Sequence, residues 1–80
     1  MAKIQTWTIP MNDEVFHVTL TRRTFSRTVT MEINGETFKL EKGKREEPFR
    51  LGDEQAILYM ESNGYAKIRL QKGFAEEDLT

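Results

Sequence analysis

The chain is predicted to be all-β: a small antiparallel β-sandwich or partly open barrel of six to seven strands with tight Asn-Gly hairpins. Three observations predict it. Apolar residues recur with a period of two rather than 3.6. Two Asn-Gly pairs, Asn34-Gly35 and Asn63-Gly64, each sit between alternating runs. No stretch carries the apolar stripe of a helix of useful length. The 80 residues make one domain, predicted over 1–74, with 75–80 as a flexible acidic tail.

The elements follow in order. "KIQTWTIP" is rich in Thr, Ile and Trp and stops at Pro10; "EVFHVTLT" sets Phe16, Val18 and Leu20 against Val15, His17 and Thr19. The turn chemistry of "PMNDE" makes these two runs a hairpin. "TVTMEI" and "ETFKLE" flank Asn34-Gly35. A two-residue type I′ loop needs positive φ at both central positions, which Asn-Gly tolerates best. That loop pairs Ile33 with Glu36, Met31 with Phe38 and Val29 with Leu40, so the apolar side chains share one face. Thr28, Thr30 and Glu32 then face Glu41, Lys39 and Thr37, and a one-residue slip would destroy the match.

"KGKREE" reads as a charged loop, and "PFRLG" as a short strand opened by Pro48, where proline is tolerated. In "AILYMESNGYAKIRL" the same two-residue rule pairs Tyr59 with Ile68 and Ile57 with Leu70. It leaves Leu58 and Met60 beside Arg69 and Lys67, under the stems of those basic side chains. "AILYM" is apolar on both faces, as in a strand near the middle of a sheet or where a sheet curves. "FAEEDLT" frays or begins a short helical turn.

Composition narrows the function classes. With no cysteine, disulfides and thiolate metal sites are excluded. A single histidine would need carboxylates to complete a zinc site. No apolar run reaches the length of a membrane span, and no signal-peptide core follows the N-terminus; a cytoplasmic location without a membrane partner is the expectation. A net charge of -1 gives no global attraction to nucleic acid.

Catalytic motifs are absent: no P-loop, G-x-G-x-x-G, H-E-x-x-H, G-x-S-x-G or calcium loop occurs. Ser26 or Ser62, His17, and Asp13 or Asp53 supply the residue types of a triad, but almost any chain of this length does. The carboxylates at Asp13-Glu14, Glu46-Glu47, Asp53-Glu54 and Glu76-Glu77-Asp78 fall in predicted loops or the tail, where carboxylates are usually solvated, whereas general acid–base work needs a buried one. A non-enzyme without cofactor or metal is expected.

One polar feature stands out. The first Asn-Gly register sets Arg27 across from Lys42, which brings the loops 22–27 and 42–47 to one end of the sheet. Arg22, Arg23, Arg27, Lys42, Lys44 and Arg45 would gather there, with Phe25 among them. Residues 22–45 carry seven basic and three acidic side chains, and residues 46–80 four and eight. Such an end suits phosphate, nucleic acid or an acidic partner surface. It suits better a solvated face whose second loop is neutralised by Glu41, Glu46 and Glu47. Most aromatic residues lie at strand positions that fill a core, whereas Tyr65 follows a tight turn on the face away from Ile68 and is expected to be exposed.

The order of these elements resembles one domain of the Fas apoptosis inhibitory molecule family. The resemblance runs from Trp7 in the first strand through "DEVFHVTL", "VTMEINGETF", "EPFRLGDEQAIL" and "NGYAKIRL" to Leu70. It implies a compact antiparallel β-sandwich without enzymatic activity and a protein-interaction or protective role. The chain departs from the family in having one such domain where members usually have two, and in lacking glycines in "RRTFSR". No functional residue carries over. The expected function is therefore a non-catalytic protein-interaction module with a protein or peptide partner; the alternative is nucleic-acid or anion binding at the basic end.

Overall fold

The period-two alternation resolves into eight antiparallel strands, in a computed structural model that describes residues 2–79. Two separate sheets form, with orders β1-β2-β3-β4 and β5-β6-β7-β8, rather than one sheet closed into a barrel. Contacts gather into two compact units, Met1–Lys42 with Glu76–Thr80, and Gly43–Ala75, where the sequence predicts one domain over 1–74 followed by a tail.

In the first unit, β1 (Ala2–Met11) and β2 (Glu14–Arg23) form a long hairpin around Asn12-Asp13, with Trp7 opposite Val18 and Ile9 opposite Phe16. Asn12 takes φ 52 in this turn, a left-handed conformation that Asn tolerates. β3 (Thr28–Ile33) and β4 (Glu36–Glu41) pair in the predicted register, from Ile33 with Glu36 to Thr28 with Glu41. Asn34 and Gly35 both have positive φ, 46 and 87, as the type I′ turn requires. Trp7, Ile9, Phe16, Val18, Leu20, Val29 and Met31 are buried on one face. The other face carries the alternating threonines, β-branched residues that suit a half-solvated pleated surface.

Residues 77 and 78 of the predicted tail pair with β1. Glu77 forms an isolated bridge with Trp7, and the Asp78 amide donates to the Thr6 carbonyl at 2.7 Å. The Gln5 side chain, only 3% exposed, donates to Glu77 at 3.0 Å, and the Thr8 hydroxyl donates to Asp78 at 3.1 Å. A buried amide needs a partner, and the acidic residues read as a solvated tail supply it. Thr80 lies outside the described residues.

In the second unit, β5 (Glu46–Leu51), β6 (Glu54–Met60), β7 (Ala66–Leu70) and the two-residue β8 (Gly73–Phe74) form the other meander. β5 begins before Pro48, so Glu46 and Glu47 lie in a strand and not in a loop. The register of β6 and β7 departs from the prediction: Leu58 pairs with Ile68, Tyr59 with Lys67 and Met60 with Ala66. The loop holds three residues rather than two. Gly64 alone takes positive φ, at 88. The Gly64 amide donates to the Glu61 carbonyl at 3.1 Å, and the Glu61 amide to the Tyr65 carbonyl at 2.9 Å. This is a type I turn followed by a left-handed glycine. The shift exchanges the two faces of β6: Ala56 and Leu58 are buried with Ala66 and Ile68, while Ile57 and Tyr59 lie with Lys67 and Arg69.

Candidate binding surfaces

The basic residues at the end of the first sheet come from a strand that alternates. Arg22 pairs with Lys3 and Val29 and shares the core face of Leu20; Arg23 pairs with Ala2 and points to the other face. Both belong to β2, so the connection to β3 is shorter than the predicted 22–27 loop. The Lys42 amide donates to the Arg27 carbonyl at 3.0 Å, which places Lys42 across from Arg27. Its ammonium donates to the carbonyls of Arg23 at 2.6 Å and Thr24 at 3.2 Å. Lys42 thus holds the turn through its carbonyls. Lys44 and Arg45 belong to the second unit, where the Arg45 carbonyl accepts the Met60 amide at 2.8 Å. Phe25 is 97% exposed and lines a shallow cleft of about 430 Å³ with Arg23 and Thr24.

The residue types of a triad do not meet in the first unit. Arg23 lies six residue steps along the strand from His17, about 20 Å at the rise of a β-strand, and Ser26 lies beyond Arg23. The Ser26 hydroxyl donates to the Thr28 carbonyl at 3.0 Å and accepts the Thr28 amide at 3.2 Å, so it shapes the turn. His17 is exposed on the threonine face, opposite Thr8. Among the described residues, no three His, Asp or Glu side chains gather as a metal site would need.

Two surfaces have the form of binding sites. The first is the outer edge of β4. The opposite edge of that sheet, at β1, is covered at Thr6 and Trp7 by residues 77 and 78. No strand pairs with the outer edge of β4 among the described residues. Five of its six residues are exposed, Phe38 at 39%.

The second surface was not legible as a site in the sequence. On the open face of the second sheet, the Phe74 ring is 57% exposed. Tyr59 meets it edge-on, with centroids 6.3 Å apart. The Lys67 ammonium and the Arg69 guanidinium lie 5.6 and 6.0 Å from its centroid. A cleft of about 390 Å³ opens there between Arg45, Tyr59, Lys67 and Phe74. The signal for Phe74 was present: Gln71-Lys72 is a two-residue turn before Gly73, which takes φ 136. Reading 74–80 as a frayed tail hid it.

No family model matches the chain, and the searches of curated proteins and of solved structures give no match either.

Proposed function

We propose that this protein is a non-catalytic protein-interaction module that receives an extended partner segment along β4. The observation that carries this reading is the outer edge of β4, with which no strand pairs among the described residues, in a sheet whose other edge is bridged at Thr6 and Trp7 by residues 77 and 78. An exposed strand edge offers a row of unpaired main-chain groups, and strand addition uses them for affinity. Phe38 and Leu40, on the core face of this edge strand, would give such a segment apolar side chains to cover.

The hydrogen-bond alternation identifies the groups involved. Ile33 and Glu36 close a two-residue hairpin and exchange both main-chain bonds. Thr37, Lys39 and Glu41 therefore direct their amides and carbonyls outward. Peptides selected from a random library should shift the amides of 37–41, and Lys39→Pro should abolish their binding while thermal melting shows the fold retained. Selected peptides that bind the folded Lys39→Pro variant unchanged would remove this reading.

A second reading, anion binding at the basic end, has one observation in its favour: Phe25 stands almost fully exposed beside Arg23. Millimolar phosphate should then move the amides of 23–27, and Arg23→Gln should abolish the movement. No movement at low salt would leave these residues as a solvated face.

A further inference from the structure

We propose that the open face of the second sheet binds single-stranded nucleic acid. One unstacked base lies on the Phe74 ring, and Lys67, Arg69 and Arg45 take the neighbouring phosphates. This site is independent of the β4 edge.

Register builds the surface. Arg69 pairs with Phe74 on one side and with Ile57 on the other, and Lys67 pairs with Tyr59. Arg69 therefore stands between Ile57 and Phe74, and Lys67 beside Tyr59, all on the same face. A ring with cations near its centroid at 5.6 and 6.0 Å is held by cation–π attraction. With the ring 57% exposed, a planar base can still stack against it. Aromatic side chains interleaved with basic ones on an open sheet are the arrangement that binds single strands, because every base has a π-face and every linkage a charge.

An exposed ring with cations beside it selects this occupant. In the cleft lining Glu46 and Glu61 balance Arg45 and Lys67 beside Phe74, and Arg69, 6.0 Å from the ring centroid, adds a positive charge. Glu61 meets Lys67 at 3.6 Å, but the two side chains are 40% and 56% exposed. An ion pair so open to water contributes little and yields readily to a phosphate. An acidic peptide would match the cations and leave the ring without a partner. A duplex keeps its bases stacked and presents only phosphates. A single strand satisfies both kinds of group.

Fluorescence anisotropy with a labelled oligothymidine of about ten nucleotides provides the test, with amide shifts mapping the footprint. Binding is expected at low salt, weakening steeply between about 50 and 200 mM. The footprint should cover Tyr59, Lys67, Arg69 and Phe74. Phe74→Leu keeps an apolar side chain but removes the ring, and should weaken binding by roughly tenfold. Should that variant fail to fold, Lys67→Gln and Arg69→Gln, both at exposed positions, should each reduce the salt dependence by about one unit of slope. The proposal is overturned by absence of binding at low salt, by a footprint confined to residues 22–27, by equal affinity for a duplex of the same length, or by a folded Phe74→Leu variant that binds as the parent does.

Discussion

The two Asn-Gly turns share a dipeptide and differ in geometry. At Asn34-Gly35 both residues are left-handed and the loop has two residues. Asn34 is further tied to β2: its side-chain oxygen accepts the His17 amide at 2.8 Å, and its side-chain nitrogen donates to the Val15 carbonyl at 3.2 Å. At Asn63-Gly64 only the glycine is left-handed. The Asn63 side-chain oxygen accepts the Tyr65 amide at 2.9 Å, an Asx turn that adds one residue to the loop. The dipeptide thus marks a turn without fixing its length. One added residue exchanges the faces of a strand, and this exchange sets Lys67 beside Tyr59 instead of Met60.

Truncation at β6 tests that exchange most severely. Leu58 is fully buried and Ile57 only half-buried, on the opposite face. Leu58→Ala should destabilise the protein by about 2–5 kcal/mol in denaturant unfolding, and Ile57→Ala by much less. The reverse order would restore the two-residue register. Next in size, Gly35→Val and Gly64→Val should each cost about 1–3 kcal/mol, because a β-branched residue resists positive φ. No atom lies within 4 Å of a Cβ built on Gly35, so its cost is conformational and not steric. A neutral result at either site would mean that the turn there does not need its left-handed glycine.

These energies also explain what was legible. Around Asn34-Gly35 the alternation has one solution: Val29, Met31 and Ile33 are apolar, with Thr28, Thr30 and Glu32 polar between them. The register followed from the sequence, pair by pair. Around Asn63-Gly64 the alternation is degenerate on one side. Ile57 and Tyr59 form as good an apolar set as Ala56, Leu58 and Met60, so either can be laid against Ala66, Ile68 and Leu70. What decides is the local geometry of Ser62-Asn63-Gly64, which hydrophobic pattern does not report. The aromatic–basic surface on the second sheet depends on that decision and on β8, a strand of two residues, too short for periodicity to reveal. The tail is less legible for a related reason: acidity suggests solvation, whereas the partner of Glu77 is a buried amide 72 residues away.

A smaller effect separates the two asparagines. Asn63 uses its side-chain oxygen, which an aspartate supplies equally well, so Asn63→Asp should change stability by less than about 0.5 kcal/mol. Asn34 also uses its side-chain nitrogen. Asn34→Asp would turn a carboxylate oxygen towards the Val15 carbonyl and should cost about 0.5–1.5 kcal/mol. Paired thermal melts of the two variants measure the difference. Equal losses would show that the bond from Asn34 to β2 contributes nothing beyond the turn itself.

The smallest expected effect concerns the ion pair beside the second turn. Lys67 and Glu61 sit on either side of it, at 3.6 Å and largely in water. Glu61→Gln should leave stability within about 0.5 kcal/mol of the parent, since exposed pairs of this kind gain little after screening and side-chain ordering. In contrast, the substitution removes a negative charge from the cleft that Lys67 lines, so oligonucleotide affinity should rise at low salt and the difference should shrink as salt is added. A clear loss of stability would make Glu61 a structural partner that holds the turn, with Lys67 committed to it. Unchanged stability together with stronger binding would identify Glu61 as the group that competes with phosphate for Lys67. The same substitution in the first unit's hairpin, Glu36→Gln beside Asn34-Gly35, should change neither quantity, because the ring–cation contacts lie at Phe74, in the second unit.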